Sequence, residues 1–552
     1  MKKGFTLIEL LAVIVILAII ALIATPMILG VIDSAKKGAA ENSTYGFVEA
    51  IGKSNLQDMI DVGNYNTKKD GTYDLTTIGT VKYKGKKPSN ICVTMKDGDV
   101  EFGFFQFDSY IVEYKNNKAK VKNELNEVDC SSTENNSTFN SIKGVNTPQI
   151  TDGMTPIKWV DGVETATTVD DPDWYDYNNK LWANAKTADG SYWVWIPRFA
   201  YKLTSGYHSS TAGSIDVKFL KGTTNKTVDN TQIETSGYVA GTNDTSMKYF
   251  THPVFQNDIN QLGFWVAKFE PTAAEGLANG SVISGLCPIE GDNVSTKTIK
   301  VVPNTTSWRC INNANAYAVS TKMKTNSTYG WKEEQVDPHM ATNLEWGAIY
   351  YLTLSIYGAN SNEVYINNNR NYITGCAGYT ASESSTSTST CYIPYDSATG
   401  VKASTTWNIT GVYDMSGGAW ERTMSVYNDL LGNSGFTTEI YNKLPSGHIT
   451  KYTTQTANIL NSVGMDYDST VYGDGIYETS NGAGRNDGNF WKGTDRGGWN
   501  TEFSYIPYTS SSWFQRGAGY YNSTIAGIGG FSNTEGEEYS YYSFRPIISI
   551  II

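Results

Sequence analysis

The chain has 552 residues, enough for more than one domain, so core burial does not limit its folding. Its formal charge is −12, and the acid is unevenly placed: residues 1–146 hold 17 basic and 17 acidic side chains, whereas the remainder holds 26 against 38. A distal part this acidic repels phosphates, which makes nucleic acid a poor candidate partner.

The chain opens Met-Lys-Lys-Gly-Phe-Thr-Leu-Ile-Glu-Leu and then carries no charge from Leu10 to Ile32. Those 23 residues would span about 34 Å as helix, enough to cross a hydrocarbon core of about 30 Å. Lys2 and Lys3 favour a cytoplasmic N-terminus. A cleaved secretory signal ending near Ala24 is the plain alternative, but the apolar run is long for one. Glu9 also interrupts its start, and an ionised carboxylate there requires a partner. Pro26 should kink or locally unravel the helix.

The string Lys2-Lys3-Gly4, then Phe5-Thr6-Leu7-Ile8-Glu9, resembles the leader of type IV pilins and pseudopilins. The resemblance implies that a prepilin peptidase cuts between Gly4 and Phe5 and that Phe5 is N-methylated. It also implies that Glu9 pairs with the terminal amine of a neighbouring pilin subunit during assembly. On that reading residues 1–4 are the leader and 5–58 the pilin helix, with the transmembrane part at about 10–32. The protein would be a single-pass component of the cell membrane before assembly. It would then stand at the cell surface or in a pilus, its distal domain extracellular.

Past Ile32 the helix continues as an amphipathic rod, with Ala40, Thr44, Phe47, Val48 and Ile51 on one face. Residues 59–130 supply a small antiparallel sheet for that face to cover. Its strands are predicted at Thr80–Tyr83, Ile91–Met95, Val100–Phe104, Tyr110–Tyr114 and Ala119–Val121. Asp97-Gly98 and Asn116-Asn117 are hairpin-turn signals between them. The polar, Asn/Ser/Thr-rich stretch 131–147 reads as a linker. Six cysteines occur without a Cys-x-x-Cys, which speaks against zinc. In an exported chain the simple expectation is bridging of sequence neighbours, Cys92–Cys130, Cys287–Cys310 and Cys376–Cys391, although spacing alone does not fix connectivity.

From residue 148 to 552 the texture changes. All fourteen tryptophans lie here, from Trp159 onward, and helical periodicity is confined to about 312–324 and 342–355. Short strands and long loops make the class α+β. Six strings then follow in order: Trp193–Phe199, Gly263–Glu270, Asn343–Gly347, Gly411–Glu421, Arg516–Gly519 and Ser543–Pro546. Together they resemble the formylglycine-generating-enzyme (sulfatase-modifying factor) family, a variant of the C-type-lectin fold. Gly418, Ala419 and Arg422 depart from that family's usual signature.

The resemblance places the family's copper-binding cysteines near Asn522 and Gly527, yet no cysteine lies beyond Cys391. The four histidines, His208, His252, His339 and His448, are far apart in sequence. The distal domain is therefore not expected to be an enzyme. A calcium site is implied at the Asp414 side chain and the carbonyls of Met415, Gly417 and Ala419, the alternative being that Asp414 caps a turn. Tyr520, Tyr521, Asn522, Tyr539 and Tyr541 lie in glycine-flanked or acidic loops and are candidates for contacting a carbohydrate or protein ligand. Trp513, Phe514 and Phe544 read as core. The leading expectation is a minor pilin or adhesin. A cell-surface enzyme of the formylglycine-generating type, or a pseudopilin of a secretion or DNA-uptake system, are the competitors.

Overall fold

The computed structural model describes residues 33–51, 71–74, 85–96, 99–107, 110–115, 117–122, 138–140, 143–236, 248–277, 287, 296–360, 362–378, 389–457, 463–465, 471–484, 490–491 and 495–551. Gly4, Phe5, Glu9, the apolar run Leu10 to Ile32, the strand expected at Thr80 and Cys130 lie outside these residues. Among the described residues no helix is long and apolar enough to cross a membrane. The chain divides into two compact units, Met1–Ile142 and Lys143–Ile552.

In the first unit a helix, α1, covers residues 33–51. Five antiparallel strands follow in meander order: β1 (Gly71–Asp74), β2 (Asn90–Lys96), β3 (Asp99–Phe107), β4 (Tyr110–Lys115) and β5 (Lys118–Lys122). The helix exists because its apolar side chains recur at helical spacing and find the sheet. Ala40, Phe47 and Ile51 are buried with Ile91, Val93, Phe105 and Val112, and Phe47 meets Phe105 edge to face at 6.2 Å. Thr44, on the same face, satisfies its buried hydroxyl by donating to the Ala40 carbonyl at 3.0 Å.

The helix also closes the sheet edge. The β5 amides of Val121 and Ala119 donate to Glu41 Oε1 and the Tyr45 hydroxyl, each at 2.8 Å, so the edge strand presents fewer open N–H groups. Tyr110 adds a 2.6 Å bond to Asp33 Oδ1 at the start of the described helix. Replacing Phe47 by Ala should cost about 3–5 kcal/mol, the usual penalty for truncating a buried aromatic. Hydrogen exchange at the amides of β2 and β3 is the readout, because no tryptophan lies in this unit.

The second unit begins earlier than the expected linker boundary at residue 147. Val145 is fully buried in its core, and the Asn146 side chain accepts from Gly222 N–H and donates to the Leu262 carbonyl. Polarity alone suggested a tether here; the asparagine instead supplies a buried crosslink between loops.

The centre is a seven-stranded antiparallel sheet built from β6 (Met154–Val160), β7 (Val163–Ala166), β8 (Asn184–Thr187), β9 (Tyr192–Pro197), β10 (Gly263–Ala267), β11 (Val336–Met340) and β17 (Pro546–Ile550). Their spatial order is β11-β17-β10-β9-β8-β6-β7. Strand β10 is buried on both faces and β9 nearly so, which is why both read as continuous apolar runs rather than alternating ones. Trp195 stands opposite Trp265, and Trp265 opposite Ile548, so two of the strings singled out in the sequence pair directly here, next to the C-terminal strand.

Two helices pack nearby. Helix α2 (Asn313–Lys322) is capped by Asn312, whose side chain accepts from Asn315 N–H at 2.9 Å. Helix α3 (Asn343–Leu354) starts with a capping box between Thr342 and Glu345 and is buried almost all round. A second sheet is centred on β12 (Trp420–Tyr427), flanked by β13 (Thr450–Tyr452), β14 (Trp513–Arg516), β15 (Phe531–Thr534) and β16 (Tyr542–Phe544). Trp513, Phe514 and Phe544 are fully buried, as read from sequence. Disulfides join Cys287 to Cys310 and Cys376 to Cys391, and Cys92 is disulfide-bonded as well.

Candidate functional site

The loop from Gly411 to Glu421 organises the second unit around buried charge. Glu270, Asp414, Glu421 and Arg545 are all removed from solvent. Arg545 donates to both oxygens of Glu421, to the Ala267 carbonyl at 2.7 Å and to the Tyr413 carbonyl at 3.0 Å. Glu421 and Asp414 both feel this guanidinium, and Glu270 lies close to both acids, so the three do not all ionise. Burial pushes Glu421 up to about 7 against the pull of Arg545. Glu270 is likewise held well above the usual carboxylate range, by burial first and then by Asp414 and Glu421. Lys268 spends its three protons on Asn184 Oδ1 and the carbonyls of Ile409 and Gly411, at 2.7–2.9 Å.

Asp414 is the residue expected to hold calcium. Its oxygens accept from Asn367 Nδ2 at 2.8 Å and from Gly375 N–H at 2.9 and 3.0 Å. A carboxylate offers about four lone-pair sites, so these donors use part of the acceptor capacity that Asp414 has beside the carbonyls of Met415, Gly417 and Ala419. Asp414 adopts φ 62°, and Gly417 and Gly418 follow at 78° and 68°. A Cβ on Gly418 would sit 2.5 Å from Glu270 Oε1, so glycine at this position fits the close packing of that acid.

This buried loop carries a surface above it. Gly418 accepts from Tyr520 N–H at 2.8 Å, Trp420 N–H donates to the Tyr541 carbonyl at 2.8 Å, and the Trp420 indole donates to the Tyr521 hydroxyl at 3.0 Å. Strand β16 pairs in parallel with the start of β12, with Trp420 opposite Tyr542. The rings then run on continuously. Tyr372 meets Tyr520 at 5.0 Å, Tyr520 meets Tyr521 at 5.5 Å, Tyr521 meets Tyr541 at 5.2 Å, and Tyr541 meets Tyr539 at 4.9 Å.

Tyr521 is 41% exposed, while Tyr520, Tyr539 and Tyr541 are half-buried. The structure therefore brings together the tyrosines that sequence singled out at 520, 521, 539 and 541. Asn522 shares their turn but acts locally, its side chain accepting from Gly519 N–H at 2.8 Å. Tyr372 and Arg309 went unnoticed in the sequence. Arg309 lies 3.8 Å over the Tyr372 ring and donates to the Ser540 carbonyl, clamping the far side of the patch. Neither residue carried a local motif, since their meeting depends on the fold.

Two histidines far apart in sequence also meet. His339 and His448 stack at 4.3 Å, and with Asp337 they offer ligand atoms within 4.8 Å of one another. Their nitrogens are, however, all engaged. His339 bonds Glu345 Oε1 at 2.8 Å and the Asp337 carbonyl at 2.9 Å, while His448 bonds Asp337 Oδ2 at 2.9 Å and the Tyr317 hydroxyl at 2.8 Å. Two acceptors on His339 call for an imidazolium. Burial pulls its pKa down, but Glu345 and Asp337 outweigh burial and leave it raised. His448 is lowered by burial and by the His339 charge.

Among known protein families, residues 1–25 match the prokaryotic N-terminal methylation motif. The chain thus has a type IV prepilin-like N-terminus, which implies processing by a prepilin peptidase, a membrane-anchored precursor and a surface destination. No curated protein matches the chain.

The His339–Glu345 pair makes stability depend on pH. Because the folded value of His339 is raised, its contribution is fully present below about pH 6.5 and is lost as pH rises through the raised value. The buried acids Glu421 and Asp474, each pushed up to about 7 chiefly by burial, lose stability over the same rise. The difference between wild type and variant therefore isolates the pair. Glu345→Gln should cost about 3–5 kcal/mol at pH 6, since it strands a buried imidazolium. The deficit should shrink toward pH 9 in urea unfolding followed by tryptophan fluorescence.

Proposed function

We propose that the protein is a minor pilin or adhesin, anchored and assembled through its N-terminal helix, whose second unit binds a surface carbohydrate or protein through the tyrosine patch. The observation that carries this reading is the convergence of Tyr520, Tyr521, Tyr539 and Tyr541 into one continuous row of rings. Tyrosine offers large, stiff contact area with a polar tip, and it loses little side-chain entropy on binding. The rings are held from behind by backbone bonds to Gly418 and Trp420, so the patch is set before a ligand arrives. The resemblance of the six strings to the formylglycine-generating-enzyme family supports a lectin-type module in the non-enzymatic form expected from the missing cysteine pair.

Mass spectrometry of native material should find a mature N-terminus at methylated Phe5. Retention of Met1, or cleavage near Ala24, would remove the pilin part of the reading. Probing glycan and protein arrays with the purified chain should give a confined set of ligands. Tyr521→Ala with Tyr541→Ala should weaken capture at least tenfold, about 1.4 kcal/mol, while leaving the melting temperature within a few degrees. Arrays run with and without calcium separate the two readings of Asp414: a calcium-dependent pattern fits a cation site, and an unchanged one fits an acid that serves only the Asn367 and Gly375 donors. Undiminished capture by the double variant would refute the patch.

A further inference from the structure

A cavity of 140 Å³ opens between α3, the segment after it and the loops around residues 500 and 528. Its rim is wet: Ala212, Ser214, Asn360, Asn362 and Asn500 are exposed. Its floor is dry and contains Tyr350, Trp499, Glu502 and Ile528, all buried. The volume is roughly ten times the minimum of about 10–15 Å³ that holds one water, and well below the roughly 300 Å³ at which drug-sized pockets begin. The occupant is therefore small.

Glu502 decides its chemistry. The residue is 4% exposed, its Oε1 accepts only a 3.3 Å bond from Gly529 N–H, and its Oε2 has no hydrogen-bond partner. The carboxylate is pressed against bare glycine: a Cβ on Gly527 would lie 1.9 Å from Oε1, and one on Gly529 2.4 Å from Oε2. A buried carboxyl oxygen without a partner is costly, and it persists where a ligand supplies the missing donor. Glu363, half-buried in the same lining, adds a second acid. Aromatic rings beside paired carboxylates attract an organic cation, since ring faces carry partial negative charge.

We propose that this cavity binds a primary ammonium group borne on a short alkyl chain, with Glu502 as its buried acceptor and Glu363 as its acceptor nearer the rim. Free alkylamines and lysine side chains share that chemistry. The groups bearing on Glu502 are Glu363, Tyr350 and Arg516. Burial first, then Glu363, push it up to about 8, while the Gly529 N–H and Arg516 oppose them. Below that pH the empty cavity holds Glu502 as a neutral acid, and an entering ammonium displaces its proton. Affinity should accordingly climb with pH, toward about tenfold per unit below pH 8.

Calorimetric titration of the full chain in detergent tests this with 1-butylamine, 1,4-diaminobutane and Nα-acetyl-lysine amide, against 1-butanol and calcium chloride. The expected result is one site for an amine, none for butanol, and an affinity rising from pH 6 to pH 8. Glu502→Gln should lose at least tenfold and Glu363→Gln at least threefold. Binding of the lysine derivative identifies a lysine side chain as the occupant, and binding of the alkylamines alone identifies a free amine. Should Glu502→Gln fail to fold, Glu363→Gln and the wild-type pH series decide the matter. The proposal is overturned if no amine binds, if butanol binds equally well, if calcium alone binds, or if the folded variants bind undiminished.

Discussion

Arg545 neutralising Glu421 is the interaction on which the second unit depends. The guanidinium reaches from the threshold of β17 to the start of β12 and ties the seven-stranded sheet to the second sheet through Ala267 and Tyr413. A buried ion pair is weak evidence of net stability, because desolvation offsets much of its attraction, but removal of one partner strands the other. Here the consequence is wider than a pair. Glu270 and Asp414 sit in the same enclosure, so the three acids are linked: Arg545 favours the charged forms of Glu421 and Asp414, and those two press Glu270 toward its neutral form. The loop that carries Gly417 and Gly418 is folded over this enclosure in left-handed conformations, and its outer backbone holds the tyrosine row. Charge in the core thereby positions rings at the surface.

Much of this was legible in the residues. The spacing of Ala40, Thr44, Phe47 and Ile51 gave the inward face of α1, since helical periodicity survives any tertiary context that buries one side. Helical periodicity at 342–355 marked α3, and the disulfides Cys287–Cys310 and Cys376–Cys391 join sequence neighbours as expected. The strings Trp193–Phe199 and Gly263–Glu270 fall on β9 and β10, although sequence alone did not say which strands lay beside them. The prepilin-like start was readable because its motif is contiguous.

What stayed hidden depends on long-range meetings. His339 and His448 are 109 positions apart, yet their rings stack. Tyr372 lies in an asparagine-rich stretch with no aromatic pattern, and only the fold sets it beneath Arg309. The donors that Asp414 serves, Asn367 and Gly375, also come from a segment that no local pattern linked to it. Asn146 likewise read as linker because its two partners lie 76 and 116 residues downstream.

Two members of the tyrosine row are held by main-chain atoms: Tyr520 N–H and the Tyr541 carbonyl make the attachments to Gly418 and Trp420. Those bonds are indifferent to which side chain is mounted on either residue. Substitution at these two positions therefore changes the chemistry of the exposed rings without loosening their frame. Such a separation lets the surface vary while the buried loop beneath it stays as it is.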